Sequence, residues 1–243
     1  MKKLGLIGKV LDYSFSKNYF QSKFSKEGIV GFEYELYPIP EISHFVNLIG
    51  SYPELIGLNV TIPYKRKVIK FLDDWSKEAS EIGAVNTIKF VDGKLIGYNT
   101  DVYGFEISLL KFLNNSKVKA LVLGTGGASR AIKFVLKKNK IPFLTVSRTK
   151  NKGDLTYEQI TPEIILDYKL IINTTPLGTT PNVKECPLIP YNLLSKNYFL
   201  YDLVYNPEKS LFLQRGEQNG VNIKNGLEML ELQAEKAWEI WKN

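Results

Sequence analysis

Along the chain, short apolar runs of strand type alternate with longer stretches whose apolar residues recur every three or four positions, as on one face of a helix. KKLGLIG predicts a strand, residues 16–26 a helix, FEYELYPI a strand, residues 41–48 a helix and LIGLNVTI a buried strand, with a further helix near 77–82. TIKFV and KLIGYN flank Asp92-Gly93, a strong short-range hairpin signal. From Val102 to Leu113, Phe105, Leu109 and Phe112 keep helical spacing, so this helix leads out of a first unit.

A second unit opens at VKALVLG, a continuous apolar strand ending in glycine and followed by the helical ASRAIKFVLKKN. Then come the strands PFLTVS and KLIINT, a Pro-rich loop over 174–190, the strand NYFLYDLV, a helix over 208–218 and a short VNIK strand. That is the order of a doubly wound nucleotide-binding domain. The last helix, 227–242, is amphipathic, with Leu230, Ala234, Ala237 and Trp238 along one side. The expected fold class is α/β: an N-terminal α/β substrate domain over 1–101, completed by the C-terminal helix 226–243, and a Rossmann-like cofactor domain over 102–225.

Composition changes this picture little. At 243 residues, 44% hydrophobic and 23% charged, the chain is ordinary globular material, which excludes disorder, collagen and coiled coil. A single cysteine, Cys186, allows no disulfide framework. With a start that runs straight into a strand and no apolar leader, this points to the reducing cytoplasm. No apolar run is long enough to cross a bilayer. The net charge of +7 invites a nucleic-acid reading, but only Arg66, Arg130, Arg148 and Arg215 among the 32 basic residues are arginines, and the lysines are scattered. Base readers concentrate arginine. The excess charge is expected to favour solubility and to attract a small anionic substrate.

Chemistry concentrates at strand ends. GTGGAS, Gly124 to Ser129, lies between a strand and a helix, where glycines let the backbone approach a pyrophosphate and the helix N-terminus supplies N–H groups. At the end of the next strand stands Ser147-Arg148-Thr149, followed by Lys150 and Lys152, with no carboxylate before Asp154. An acidic residue there would bind a free ribose diol, whereas arginine matches a 2′-phosphate, so NADP is expected over NAD. In the first unit Ser14 and Ser16 flank Phe15 at a helix start; Ser16 reads as an N-cap, and the two hydroxyls are also placed to meet a carboxylate. Asn59, Thr61 and Lys65 follow in NVTIPYK, Asn86 in GAVNT, and Asn99, Thr100 and Asp101 in GYNTD. So many amides and hydroxyls beside one Lys and one Asp suggest a pocket for a polyhydroxylated small molecule. With His44 the only histidine, no Ser-His-Asp set or zinc site can be assembled, and Lys65 and Asp101 are left to carry proton chemistry.

Taken in order, DYSFS, NVTIPYK, GAVNT, GYNTD, GTGGASRA, VSRT, NTTPLG, YDLVYNP and GLEMLELQA resemble the shikimate dehydrogenase family over nearly the whole chain. The resemblance implies NADP-linked, reversible reduction of 3-dehydroshikimate to shikimate, with a cleft between two domains that opens and closes. It implies Lys65 and Asp101 as the catalytic pair. Ser14 and Ser16 would hold the substrate carboxylate, with Asn59, Thr61, Asn86, Tyr205 and Gln233 completing the substrate shell. Gly124, Gly126, Gly127 and Ala128 would line the pyrophosphate, Ser147, Arg148 and Thr149 the 2′-phosphate, and Thr174 would lie near the cofactor. No metal is implied. Tyr13, Lys17 and Tyr19 depart from the family pattern around the two serines.

An anion beside a lysine favours the ammonium form, so Lys65 is expected to act as the acid in ketone reduction. Two rival readings are a quinate/shikimate dehydrogenase with broader substrate use and a non-catalytic NADP-binding sensor. The expected partner is a small-molecule substrate, with no nucleic acid or membrane, and the chain a monomer or homodimer.

Overall fold

The opening KKLGLIG forms β1 (Lys2–Gly8), which pairs in parallel with β2 (Phe32–Pro38) on one side and β3 (Leu55–Val60) on the other in a computed structural model describing residues 1–11 and 14–243. Beyond β3 the sheet turns antiparallel through β5 (Thr87–Val91) and β6 (Lys94–Tyr98), and the two-residue β4 (Asp74–Trp75) closes it in the order β2-β1-β3-β5-β6-β4. Asp92 and Gly93 join β5 to β6 with φ of 49° and 77°, the backbone that a two-residue hairpin turn requires.

The second sheet comprises β7 (Ala120–Leu123), β8 (Phe143–Ser147), β9 (Leu155–Thr156), β10 (Leu170–Asn173), β11 (Phe199–Asp202) and β12 (Asn222–Lys224), all parallel, in the order β12-β11-β10-β7-β8-β9. Counted within this sheet, that is the 3-2-1-4-5-6 order of the doubly wound fold, whose switch point lies between β7 and β10. Both sheets together make the chain α/β.

Eight α-helices are described: α1 (Phe15–Lys26), α2 (Phe45–Ser51), α3 (Lys77–Ile82), α4 (Asp101–Leu113), α5 (Gly127–Lys138), α6 (Pro162–Asp167), α7 (Leu211–Glu217) and α8 (Leu227–Lys242). The chain divides into two units, Met1–Tyr103 with Gln233–Asn243, and Gly104–Leu232. No helix among the described residues is long and apolar enough to cross a membrane.

Several boundaries differ from the sequence expectation. Helix α1 begins at Phe15, and its N-cap is Ser14, whose Oγ accepts from the Ser16 N–H; Ser16 is inside the first turn. The expected helix over 41–48 is a 3-10 turn, Ile42–His44, followed by α2, and no side chain caps the start of either. β3 stops at Val60, since its partner β5 begins opposite Asn59. Helix α7 starts later than expected because Ser210 caps it, accepting from the Leu213 N–H at 3.4 Å.

In the first unit, β1 alternates as a two-faced strand should. Leu4 and Leu6 meet Phe20, Tyr34, Ala234, Ala237 and Trp238 on one side, while Ile7 faces Leu58, Val60, Tyr64 and Ile88 on the other. Helix α1 buries Ser16, Phe20 and Phe24 at i, i+4 spacing. Phe20 stacks on Tyr34 at 4.5 Å, and Phe24 meets Trp238 at 5.2 Å. Full burial of each such side chain contributes about 1.5 to 3 kcal/mol. Lys23, buried between α1 and α8, is held by Glu27 at 2.7 Å and Glu235 at 2.8 Å. Burial works against its charge, but the two carboxylates outweigh this and raise its pKa.

Candidate active site

The turn after β3 carries Lys65, and its backbone is pinned from two sides. The buried Tyr64 gives its hydroxyl proton to the Ile39 carbonyl at 2.7 Å, and the Lys65 carbonyl accepts from the Val85 N–H at 2.7 Å. So held, Lys65 Nζ reaches Asp101 Oδ2 at 2.7 Å. Asp101 is the first residue of α4, where the positive end of the helix dipole favours an anion. Its other oxygen, Oδ1, accepts from Asn86 Nδ2 at 2.9 Å, so the plane of the carboxylate is set. The Lys65 side chain keeps 22% of its surface and that of Asp101 12%, so the pair is sheltered from bulk water yet reachable. An ammonium with three protons that spends one on Asp101 keeps two for a ligand oxygen.

Asn86 is the hub of this site. Its Oδ1 accepts from the Thr100 N–H at 2.7 Å, and Gln233 Oε1 lies 3.4 Å from its Nδ2 and 3.3 Å from Thr100 Oγ1. Gln233 thus brings α8 into the same cluster. Asn59 is turned away: Oδ1 accepts from the Tyr34 hydroxyl at 2.8 Å, and Nδ2 donates to the Asn86 carbonyl and Thr87 Oγ1 at 3.2 and 3.1 Å. Every polar group of that amide is engaged inside the protein. Asn99 donates to the Ala84 carbonyl at 2.9 Å. Thr61 is half-buried, its N–H bonded to the Ile7 carbonyl at 2.9 Å. Ser14 is half-buried, whereas Ser16 is buried and hydrogen-bonds to Tyr34, whose phenol burial pushes well up. Tyr13 lies outside the described residues. Tyr34, Thr87 and Thr100 complete the cluster; Tyr34 was invisible in the sequence, being one of two tyrosines in an ordinary strand.

A separate cavity of about 350 Å³ opens in the second unit at the switch point of its sheet. It is lined by Gly124, Gly126, Ser147, Arg148, Thr149 and Thr174 among others, and by no Asp or Glu. Gly124 has φ +108°, and a Cβ there would stand 2.8 Å from Thr174 Oγ1, so neither the backbone nor the space admits a side chain. At Gly126 and Gly127 a Cβ would meet nothing within 4 Å, leaving a bare cradle at the N-terminus of α5. No side chain caps that terminus, and Ser129 donates to the Gly126 carbonyl at 2.8 Å, so the first-turn N–H groups around Ala128 are available to an anion.

Arg148 is exposed and, like Lys152, pairs with no carboxylate among the described residues. Asp154 is committed elsewhere, accepting from the Thr145 N–H at 2.7 Å. Two free cations without a carboxylate fit a dinucleotide bearing a 2′-phosphate. Lys152, Tyr157 and Thr175 also line this cavity. Tyr205 belongs to the second unit, half-buried on the segment after β11, and is not among the lining residues.

Residues 6–88 match the family described as shikimate dehydrogenase substrate binding domain. A shikimate dehydrogenase (NADP(+)) of Clostridium beijerinckii is 39% identical, covering 100% of this chain and 92% of its own length. The enzyme of that name from Caldicellulosiruptor bescii is 37% identical, covering 99% of this chain and 89% of its own length. The crystal structure of shikimate 5-dehydrogenase from Thermus thermophilus in complex with NADP(H) and shikimate matches with a TM-score of 0.87 at 30% identity, covering 99% of this chain and 93% of that one. The chain belongs to the shikimate dehydrogenase family.

Proposed function

We propose that this chain catalyses the NADP-dependent, reversible reduction of 3-dehydroshikimate to shikimate in the shikimate pathway. The observation that carries the reading is the Lys65–Asp101 pair, 2.7 Å apart and braced through Asn86, within a chain related over its full length to NADP-linked shikimate dehydrogenases. When bound, NADP supplies or accepts the hydride. Lys65 donates a proton to the reacting oxygen in reduction and receives it in oxidation, and Asp101 keeps Nζ aimed. Gln233 binds a ring hydroxyl, Thr61 adds a hydroxyl from the end of β3, and Asn86, its amide engaged by Thr87, Thr100, Asp101 and Gln233, braces Asp101 and Gln233. Asn59, saturated by Tyr34, Asn86 and Thr87, holds the strand beneath them instead of touching substrate. The absorbance of NADPH, followed with shikimate and then quinate, each with NADP and NAD, tests the reading. Shikimate with NADP is expected to give the fastest rise; quinate with NAD leading would reject it.

Two expected results probe binding. In our reading Arg148 binds the 2′-phosphate with Ser147 and Thr149, while Gly124, Gly126, Gly127 and Ala128 take the pyrophosphate and Thr174 borders the cofactor. Arg148→Ala should then weaken NADP by about 1.5 to 3 kcal/mol, the worth of a charged hydrogen bond, and leave NAD nearly unchanged. Equal rises in KM for both cofactors would remove Arg148 from that role. Ser14 and Ser16 are assigned to the substrate carboxylate at the α1 N-terminus. Ser14→Ala should mainly raise KM for shikimate, the mark of lost uniform binding. Ser16→Ala should do the same and also remove a hydrogen bond from the Tyr34 hydroxyl, which Asn59 continues to hold. A fall in kcat at constant KM would contradict the carboxylate assignment.

A further inference from the structure

One fully buried carboxylate plays no part in the chemistry above. Asp202 ends β11 directly beside Asn173, the last residue of β10, and both are 0% exposed, as is Ser210. No cation pairs with Asp202 among the described residues. Three donors converge on it instead. Asn173 Nδ2 and the Val204 N–H reach Oδ1 at 2.9 and 3.0 Å, and the Ser210 hydroxyl reaches Oδ2. Burial pushes the carboxyl up to about 6, against the pull of these bonds.

An acceptor-only group is what these donors demand. Ser210 Oγ already accepts from the Leu213 N–H as the cap of α7, so its proton must be given away. Asn173 is equally constrained. Its Oδ1 accepts from the Thr175 N–H at 3.0 Å and the Thr175 hydroxyl at 2.6 Å, and its second N–H faces the Leu177 carbonyl at 3.4 Å. Turning the amide over would set oxygen against the Asp202 carboxylate and N–H against N–H, so Asp202 permits one orientation only. Thr175 Oγ1 in turn accepts from the Leu177 N–H at 3.3 Å, which closes the turn around Asn173. Thr174, Thr175, Pro176 and Leu177 line the cavity, and Thr174 and Thr175 rest against Gly124 of the glycine turn.

We propose that Asp202 is a positioning residue for the cofactor: by fixing the Asn173 amide it holds the 174–178 loop in the shape that forms one wall of the cavity. The proposal rests on the reading that this cavity holds NADP. Asp202 itself touches no cofactor, and the Thr175 hydroxyl, spent on Asn173 and Leu177, acts through the loop.

Fluorescence titration with NADPH, beside thermal unfolding of each variant, tests this. Asp202→Ala is expected to raise the NADPH Kd about tenfold or more, the size of one lost hydrogen bond to a charged group. Asp202→Asn keeps Oδ1 as acceptor for Asn173 and Val204, and is expected to restore the Kd to within about threefold of wild type even where its melting temperature is lowered, a rescue that a merely structural role would not produce. Thr175→Val breaks the relay at its loop end and is expected to raise the Kd about fivefold, and the double variant with Asp202→Ala should bind no worse than Asp202→Ala alone. A folded Asp202→Ala protein with wild-type Kd, or losses that multiply in the double variant, overturns the relay. Should Asp202→Ala fail to fold, Thr175→Val decides, and a wild-type Kd there overturns it equally. A wild-type chain that does not bind NADPH defeats the cofactor reading along with this one, whereas the other outcomes defeat the relay alone.

Discussion

Lys65→Met is expected to lose about 10² to 10⁴ in kcat, roughly 3 to 5 kcal/mol of transition-state stabilisation, with a much smaller change in KM for shikimate. The size follows from removing a positioned proton donor when no other side chain in the first-unit cluster offers a comparable acidic proton: Asn86, Thr100 and Gln233 are neutral and already engaged with one another. Methionine keeps much of the stem's length and apolar character, so the turn pinned by Tyr64 should persist. Asp101 would lose its cation but keep Asn86 on Oδ1, and its partial exposure admits water to Oδ2. The second-unit cavity to which we assign NADPH is lined wholly by residues between Gly124 and Leu177, so NADPH binding should stay at the wild-type value. Retained turnover would remove Lys65 from the mechanism. Lost NADPH binding would mean that the substitution had damaged the fold.

The largest stability loss should come from Trp241→Ala, about 3 to 5 kcal/mol in urea unfolding of the first unit, as for other large aromatic truncations in a core. Trp241 is 4% exposed, sits 5.6 Å from Phe20 ring to ring, and donates its indole N–H to the Ile88 carbonyl at 2.9 Å. Its ring lies on Gly57, where a Cβ would come within 2.2 Å of the indole nitrogen. Strand β3 therefore needs glycine at that point for α8 to dock. Gln233 rides on the same helix, so the loosened α8 should also weaken shikimate binding. Trp241→Phe keeps the packing and loses only the hydrogen bond, which costs about 1 kcal/mol. If Trp241→Ala left both stability and shikimate KM unchanged, α8 would not be what places Gln233.

Strands and helices were largely legible because burial of one face leaves a periodic trace. LIGLNV and KLIIN are largely apolar runs that form central strands of their sheets, and Phe20 and Phe24 follow the i, i+4 spacing of a buried helical face. Short elements escaped. β4 and β9 span two residues each, too few for a period to register, and the six-residue α6 went unread although the equally short α3 did not. Caps were half legible: Ser14 and Ser16 are both good N-caps by type, and the choice of Ser14 came from Ser16 being drawn inward to Tyr34.

Local residue chemistry is enough to mark the glycine turn before a helix, the absence of a carboxylate near Arg148, and the lack of any histidine able to compete with Lys65. Those features depend on neighbours in the chain. The orientation of each amide does not. Asn59 and Asn86 look alike in NVT and VNT, yet one is engaged by Tyr34 and Thr87 and the other by Thr100 and Asp101, because the partners come from elements 14 to 28 residues distant. Asp202 reads as one more strand-end carboxylate until Asn173 and Ser210 close on it. Hydrogen-bond direction is set by which donors and acceptors long-range packing brings within about 3 Å, and a linear pattern of residue types carries no trace of that choice.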